Sequence, residues 1–229
     1  MTPQPVGNPI ARSRPLGDLL ADKLREQIIA GEIPAGTHLV EIDVADRFGV
    51  SRLPVRDALK QLLSEGLLEG RRRGLSVVAM NERDVREVYD VRLAMESLAA
   101  RTAIRRPDTD WEVLEQAQRD LEAHVEDSDR RHFVDADLEF HSALYLLAEN
   151  RRLQSMWSIL EPTMRTMLMM TNRRDSDLIA VSQAHRAILE AARRGDVEAT
   201  EKTLDAHISH ARDLMVDALS DVWAQRPGS

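Results

Sequence analysis

Residues 49–74, GVSRLPVRDALKQLLSEGLLEGRRRG, constrain the fold of this chain more than any other stretch. Ser51 is a favourable N-cap, and Pro54 falls in the first helical turn, where its missing N–H costs nothing. Val55, Leu59, Leu62 and Leu63 recur at helical spacing and predict a core-facing stripe, while Arg52, Arg56 and Lys60 fall on another side. Gly66 ends that helix. LLEGRRRGLSVVAM then supplies two short strands around a tip made by Arg71, Arg72, Arg73 and Gly74. Guanidinium groups on the first turns of a helix match guanine edges in the major groove of duplex DNA. A basic tip can settle against phosphates or the minor groove. A run of like charge is also the composition of a solvated hairpin end, so the tip alone carries both readings.

The residues upstream complete a small unit. Leu16, Leu19, Leu20, Leu24 and Ile28 fall at helical spacing, with Gly31 as the stop. EIPAGTHL reads as a turn, and Ile42, Val44, Ala45 and Phe48 as a short amphipathic helix closed by Gly49. Helix, helix, turn, helix and hairpin together predict a winged helix-turn-helix over residues 15–79, preceded by a proline-rich arm over 1–14.

The formal net charge of −8 argues against nucleic acid as a partner until it is divided. Residues 1–80 carry 11 Lys+Arg against 10 Asp+Glu, whereas residues 81–229 carry 20 against 29. Between 51 and 74 there are six basic side chains and three acidic ones, Asp57, Glu65 and Glu69. A basic face on an acidic protein is the expected footprint of a DNA-binding module joined to a part with another task. Absence of cysteine excludes disulfides, thiolate metal sites and a cysteine nucleophile, and fits a reducing cytoplasm. No apolar run approaches the ~18–20 residues that span a bilayer, so a cytoplasmic protein without membrane contact is expected.

The stretch IPAGTHLVEIDVADRFGVSRLPVRDALKQLLSEGLLEGRRRGLSVV closely resembles the N-terminal domain of GntR-type bacterial transcription regulators, over roughly residues 16–79. GVSR-x-PVRDAL is the specific part of that match. The resemblance implies that Ser51, Arg52, Arg56, Lys60, Arg71, Arg72, Arg73 and Gly74 face DNA, with the helix arginines on operator bases or phosphates. Ile42 departs from the pattern, standing where many members carry an arginine.

From Asn81 on, the chain has helical periodicity throughout. Helices are expected over 81–106, 109–125, 130–148, 153–170, 177–194 and 197–219, joined by short polar breaks such as RRPDTD and RRGD. Six helices in this length predict an all-helical antiparallel bundle over 81–222, making the chain mainly α. Asp137 and His141 are four residues apart on one helix face. His185 and His207 lie on two later helices among apolar neighbours that turn them inward. Three imidazoles and a carboxylate suit a divalent first-row ion, zinc or nickel foremost. Taken singly, a histidine in such a helix is a core or interface residue. His124, His132 and His210 read that way, and His210, three residues after His207, is also a substitute for it.

The joint spacing resembles the FCD-type effector domain of the FadR-like GntR subfamily. In that domain D-x-x-x-H, a second histidine before an apolar helix ending in Gly-Asp, and a third on the last helix hold a metal. Asp137, His141, His185, His207 and Gly195-Asp196 match these positions. Ala184 departs, standing where an acidic residue often precedes the histidine. Arg92 aligns with an arginine that often faces the ligand pocket. It has two readings, a bidentate clamp on an effector carboxylate or an ion pair to Glu96 one turn on.

These residues and resemblances point to a homodimeric regulator, a repressor by expectation and not an enzyme. It would bind an inverted-repeat operator and sense a small carboxylate or sugar-acid effector through a metal-containing pocket. A metal-ion-sensing regulator is the alternative. A helical metal-dependent hydrolase is a third class, but no phosphate loop or G-x-S-x-G nucleophile motif accompanies the histidines.

Overall fold

The computed structural model describes residues 14–71, 74–78, 80–171 and 177–224. Of the arm, only Arg14 falls within them; Arg72 and Arg73 of the basic tip lie outside.

The N-terminal unit runs α1 (Leu16–Ile29), β1 (His38–Leu39), α2 (Glu41–Phe48), α3 (Arg52–Ser64), β2 (Leu68–Gly70) and β3 (Leu75–Val77). Its strands form an antiparallel sheet in the order β1-β3-β2. β1 lies in the segment read from sequence as a turn. Its two residues pair with Ser76 and Leu75, an alignment made only by folding and carrying no local signal. The core joins Leu20, Leu24 and Ile28 of α1 to Val55, Ala58, Leu59 and Leu62 of α3.

Leu63, expected inside, is exposed, as are Leu16 and Leu19. One residue on a helix turns the side chain by about 100°, so when Leu62 takes the core position its neighbour faces water. Ser51 occupies the N-cap of α3, but its side chain makes no capping hydrogen bond. Gly49 adopts φ +64°, the left-handed conformation that lets α2 end and the chain reverse into α3.

The second unit comprises α4 (Glu82–Arg105), α5 (Glu112–Ala123), α6 (Arg130–Leu147), α7 (Arg151–Thr171), α8 (Leu178–Arg193) and α9 (Val197–Ala224). α4 starts in a capping box: the Asp84 N–H donates to the Asn81 side chain at 3.2 Å, and Asp84 accepts from the Asn81 N–H at 2.8 Å. α4 and α9 pack along one another, and α6 lies against α4, α5 and α7. The bundle interior is lined by Phe133, Phe140, Leu144, Met164, Met167, Ile188, Leu204 and Met215. Among the described residues no helix is long and apolar enough to cross a membrane.

The units meet along α1 and α7. Arg25 of α1, buried, donates from Nε and Nη2 to the two oxygens of Glu65, both at 2.7 Å. Thr163 of α7 donates its hydroxyl to Glu65 Oε2 at 3.1 Å. Glu65 is the C-cap of α3, so the Thr163 hydroxyl ties the end of that helix to the bundle while Arg25 ties it to α1.

Candidate metal centre and nucleic-acid interface

Asp137 and His141 project from one face of α6, His185 from α8 and His207 from α9, and all four side chains are buried together. His141 Nε2 lies 3.1 Å from His185 Nε2 and 3.3 Å from His207 Nε2. His185 Nε2 lies 3.3 Å from Asp137 Oδ1.

The tautomers follow from the outer partners. His141 Nδ1 is 2.7 Å from Glu96 Oε2, and His185 Nδ1 is 2.8 Å from the Val181 carbonyl. Both partners are acceptors, so each Nδ1 carries the proton in the neutral ring and each Nε2 presents a lone pair. Two lone pairs 3.1 Å apart have no proton to share. That contact is repulsive without a cation between the rings. Burial lowers the proton affinity of His141 despite Glu96 beside it, and lowers that of His207 further, with His185 and His141 adding to the effect. These two rings are therefore held in the neutral state that ligates metals.

The carboxylates behave differently. Burial alone would raise Asp137, but His185, His141 and Arg92 hold it at about 2. Burial also opposes ionisation of Glu96, and His141 and Arg92 outweigh it, again giving about 2. Asp137 Oδ2 is buried without a hydrogen-bond partner among the described residues. Nitrogen and carboxylate donors of this kind fit a first-row divalent ion, with Glu96 orienting His141 from behind.

Arg92 makes the ion pair to Glu96 and still keeps a donor in reserve. Its Nε donates to Glu96 Oε1 at 2.7 Å, while its Nη2 is buried with no partner among the described residues. Arg92, Asp137 and His207 line one cavity of about 220 Å³. His210 lines the same cavity but is not part of the four-residue cluster. Glu96 was legible only as a partner for Arg92; its bridge to His141 was missed. An acidic residue just before the apolar run SLAA was the available signal.

His124, Asp127 and His132 gather at the α5–α6 turn, where His132 Nδ1 meets Asp127 at 2.7 Å in a half-exposed ion pair. Trp157 is buried, donating to Ser142 Oγ at 2.8 Å and stacking on Tyr145. Arg165 pairs with Asp135 and Glu161 on the surface.

Arg52 and Arg56 stand exposed on α3, and both grip Glu41 of α2. Arg52 Nη2 donates to Oε2 at 3.0 Å, and Arg56 donates from Nε and Nη2 at 3.0 and 3.1 Å. Those bonds hold the Glu41 carboxyl at about 2. The pairing was not legible in the sequence, where the residues stand eleven and fifteen apart. It holds the two forks side by side on one face. Lys60, Ile42, Leu63 and Gly74 surround the same hollow. Ser51 is exposed at the start of α3. Arg71 pairs with Glu69, and its N–H donates to the Gly74 carbonyl at 3.1 Å. Gly74 has φ +81°, and a Cβ there would lie 3.2 Å from the Leu39 carbonyl oxygen, so turn geometry explains this glycine.

Residues 16–78 match the sequence profile of bacterial regulatory proteins of the gntR family, and residues 87–210 match the FCD domain. The chain belongs to the GntR family. It is a GntR transcription regulator carrying an FCD effector domain. It is 32% identical over 184 residues to the "Probable D-xylose utilization operon transcriptional repressor" of Paenarthrobacter nicotinovorans, covering 80% of this chain and 81% of that one. It is 27% identical over 216 residues to the gluconate operon transcriptional repressor of Bacillus subtilis (strain 168), covering 90% and 86%. A GntR family member from Pseudomonas syringae pv. tomato superposes with a TM-score of 0.52 at 28% identity, covering 91% of this chain and 88% of that one.

Proposed function

We propose that this GntR regulator is a homodimeric repressor that releases an inverted-repeat operator when a small carboxylate enters the cavity beside its histidine cluster. The observation that carries the reading is the shared cavity. Arg92, with a buried unpartnered Nη2, and two members of the His/Asp cluster face the same space. Asp137, His141, His185 and His207 would hold a zinc or nickel ion, which when bound supplies a Lewis-acidic centre for a carboxylate oxygen. Arg92 supplies the second hold on that carboxylate, and Glu96 keeps both Arg92 and His141 in place. Arg52, Arg56 and Lys60 would enter the major groove, and the tip bearing Arg71 would reach the flanking backbone.

α7 supports a route between the two functions. Met164 Sδ lies 3.9 Å from Arg92 Nη1, and the preceding residue, Thr163, bonds Glu65 at the end of α3. A ligand that draws on Arg92 shifts α7 against α3 and so favours one domain arrangement, which needs a preference of about 1–3 kcal/mol. Val91 and Leu98, seven residues apart and exposed on α4, fit a contact between two copies. Thr163→Val is expected to preserve operator affinity without ligand but to shrink the ligand-induced change by about tenfold. A titration in which the variant responds as the wild type does would remove Thr163 from the route.

The cluster also sets a pH response. His141 and His207 titrate below their ordinary value of 6.5 in the folded chain, so below that pH the unfolded chain binds more protons. The chelated protein is therefore expected to lose stability as pH falls through the imidazole range, and a bound metal to be released over the same interval. A melting temperature of the chelated protein that stays flat from about pH 7.5 to about 5.5 would contradict this.

The test of the whole reading is a thermal-shift screen of carboxylates on metal-loaded protein, followed by release of labelled operator. A carboxylate that both stabilises the protein and frees the duplex is the expected result.

A further inference from the structure

The walls of the cavity bear on which acid it takes. Beyond the end formed by Arg92, Asp137 and His207, the cavity is bounded by Leu168, Val181, Ala184, Ala206, Ala211 and Leu214. Hydrogen-bonding side chains there are Thr171, Thr203 and His210. Both threonines have already spent their protons on their own helices. Thr171 donates to the Leu168 carbonyl at 3.2 Å and Thr203 to the Ala199 carbonyl at 2.7 Å. Among the described residues, that leaves His210 as the one side chain beyond the polar end with an uncommitted donor.

We infer that the ligand is a small monocarboxylate with an apolar body, an alkanoic or aryl-substituted acid, and that the cavity discriminates against polyhydroxylated acids. The inference rests on the reading of this cavity as the effector site, and narrows it. A carboxylate at the polar end meets the unpartnered Arg92 Nη2, while a hydrocarbon body covers the leucine, valine and alanine walls. A sugar acid brings a hydroxyl on nearly every carbon. Against these walls its hydroxyls would leave water with only the Thr171 and Thr203 oxygens as acceptors and His210 beside them among the described residues, and each hydroxyl left unpaired weakens binding by roughly tenfold. The cavity, about 220 Å³, is also below the roughly 300–1,000 Å³ that accommodates drug-sized ligands.

Isothermal titration of the metal-loaded full-length chain with hexanoate, isovalerate, phenylacetate and gluconate tests this. At least one of the first three is expected to bind at least about tenfold more tightly than gluconate. Ala211→Leu, which fills the apolar wall one helical turn beyond His207, is expected to weaken that acid about tenfold or more with metal content unchanged by mass spectrometry. Should that variant not fold, Leu214→Ala widens the same wall and is expected to shift the preference toward the bulkier acid. Gluconate binding as tightly as the apolar acids overturns the ligand class but leaves carboxylate sensing intact. Unaltered acid binding in Ala211→Leu, or an unaltered order in Leu214→Ala, places the acid elsewhere and also overturns it. No binding by either class of acid ends both this inference and the reading beneath it.

Discussion

Replacing His185 and His207 together with alanine is expected to leave the purified chain without metal while its affinity for operator DNA stays within a few-fold of wild type. Donor count decides the first part. The cluster offers three imidazole nitrogens and one carboxylate within 4.8 Å of one another, and the double variant keeps only Asp137 and His141. Two donors from one helix do not close a first-row site against water and chelators. DNA binding should survive because Arg52 and Arg56 are held by Glu41 within the N-terminal unit, and no bond of theirs among the described residues reaches α8 or α9. The variant should also cease to respond to carboxylates. Metal content equal to wild type by mass spectrometry would show that the ion sits elsewhere. Part of the stability cost will be offset, since removing the His185 ring also ends the repulsion between its lone pair and that of His141.

Arg56→Ala is expected to weaken operator binding by about ten- to a hundredfold, the loss typical of a bidentate guanidinium contact to a base or phosphate. Its fold should be unaffected, because the side chain is half exposed and bonds only Glu41 among the described residues. The variant also frees Glu41, leaving a carboxylate held by Arg52 alone on the surface that approaches DNA. That adds a repulsion which should steepen the loss at low salt. Footprinting at wild-type affinity would exclude Arg56 from the interface. A loss confined to specific duplex would assign it to bases; an equal loss on random duplex would assign it to the phosphate backbone.

Most of the architecture was legible because helices announce themselves locally. The expected span 130–148 and the observed α6, Arg130–Leu147, agree closely because apolar spacing and flanking polar residues mark the ends. So was the meeting of Asp137, His141, His185 and His207, since buried histidines on antiparallel helices have few places to point. What escaped the sequence depends on contacts between distant residues. β1 exists only because β3 lies beside it, and the grip of Arg56 on Glu41 requires α2 and α3 to have docked. Leu63 looked like core because periodicity does not tell Leu62 from its neighbour. The tie from Thr163 to Glu65 joins residues 98 apart. No local pattern encodes such a bond, although it is the contact on which communication between the two units is proposed to depend.

The central claim is that occupancy of the metal-centred cavity governs the grip on DNA. It is tested most directly by fluorescence anisotropy of a labelled duplex from the protein's own promoter region, titrated with a binding carboxylate on metal-loaded and on chelated protein. The expected result is release from the metal-loaded protein, with affinity falling at least about tenfold, and little change from the chelated one. Release by metal alone with no further effect of any acid, or no affinity for the duplex even at low salt, would contradict it.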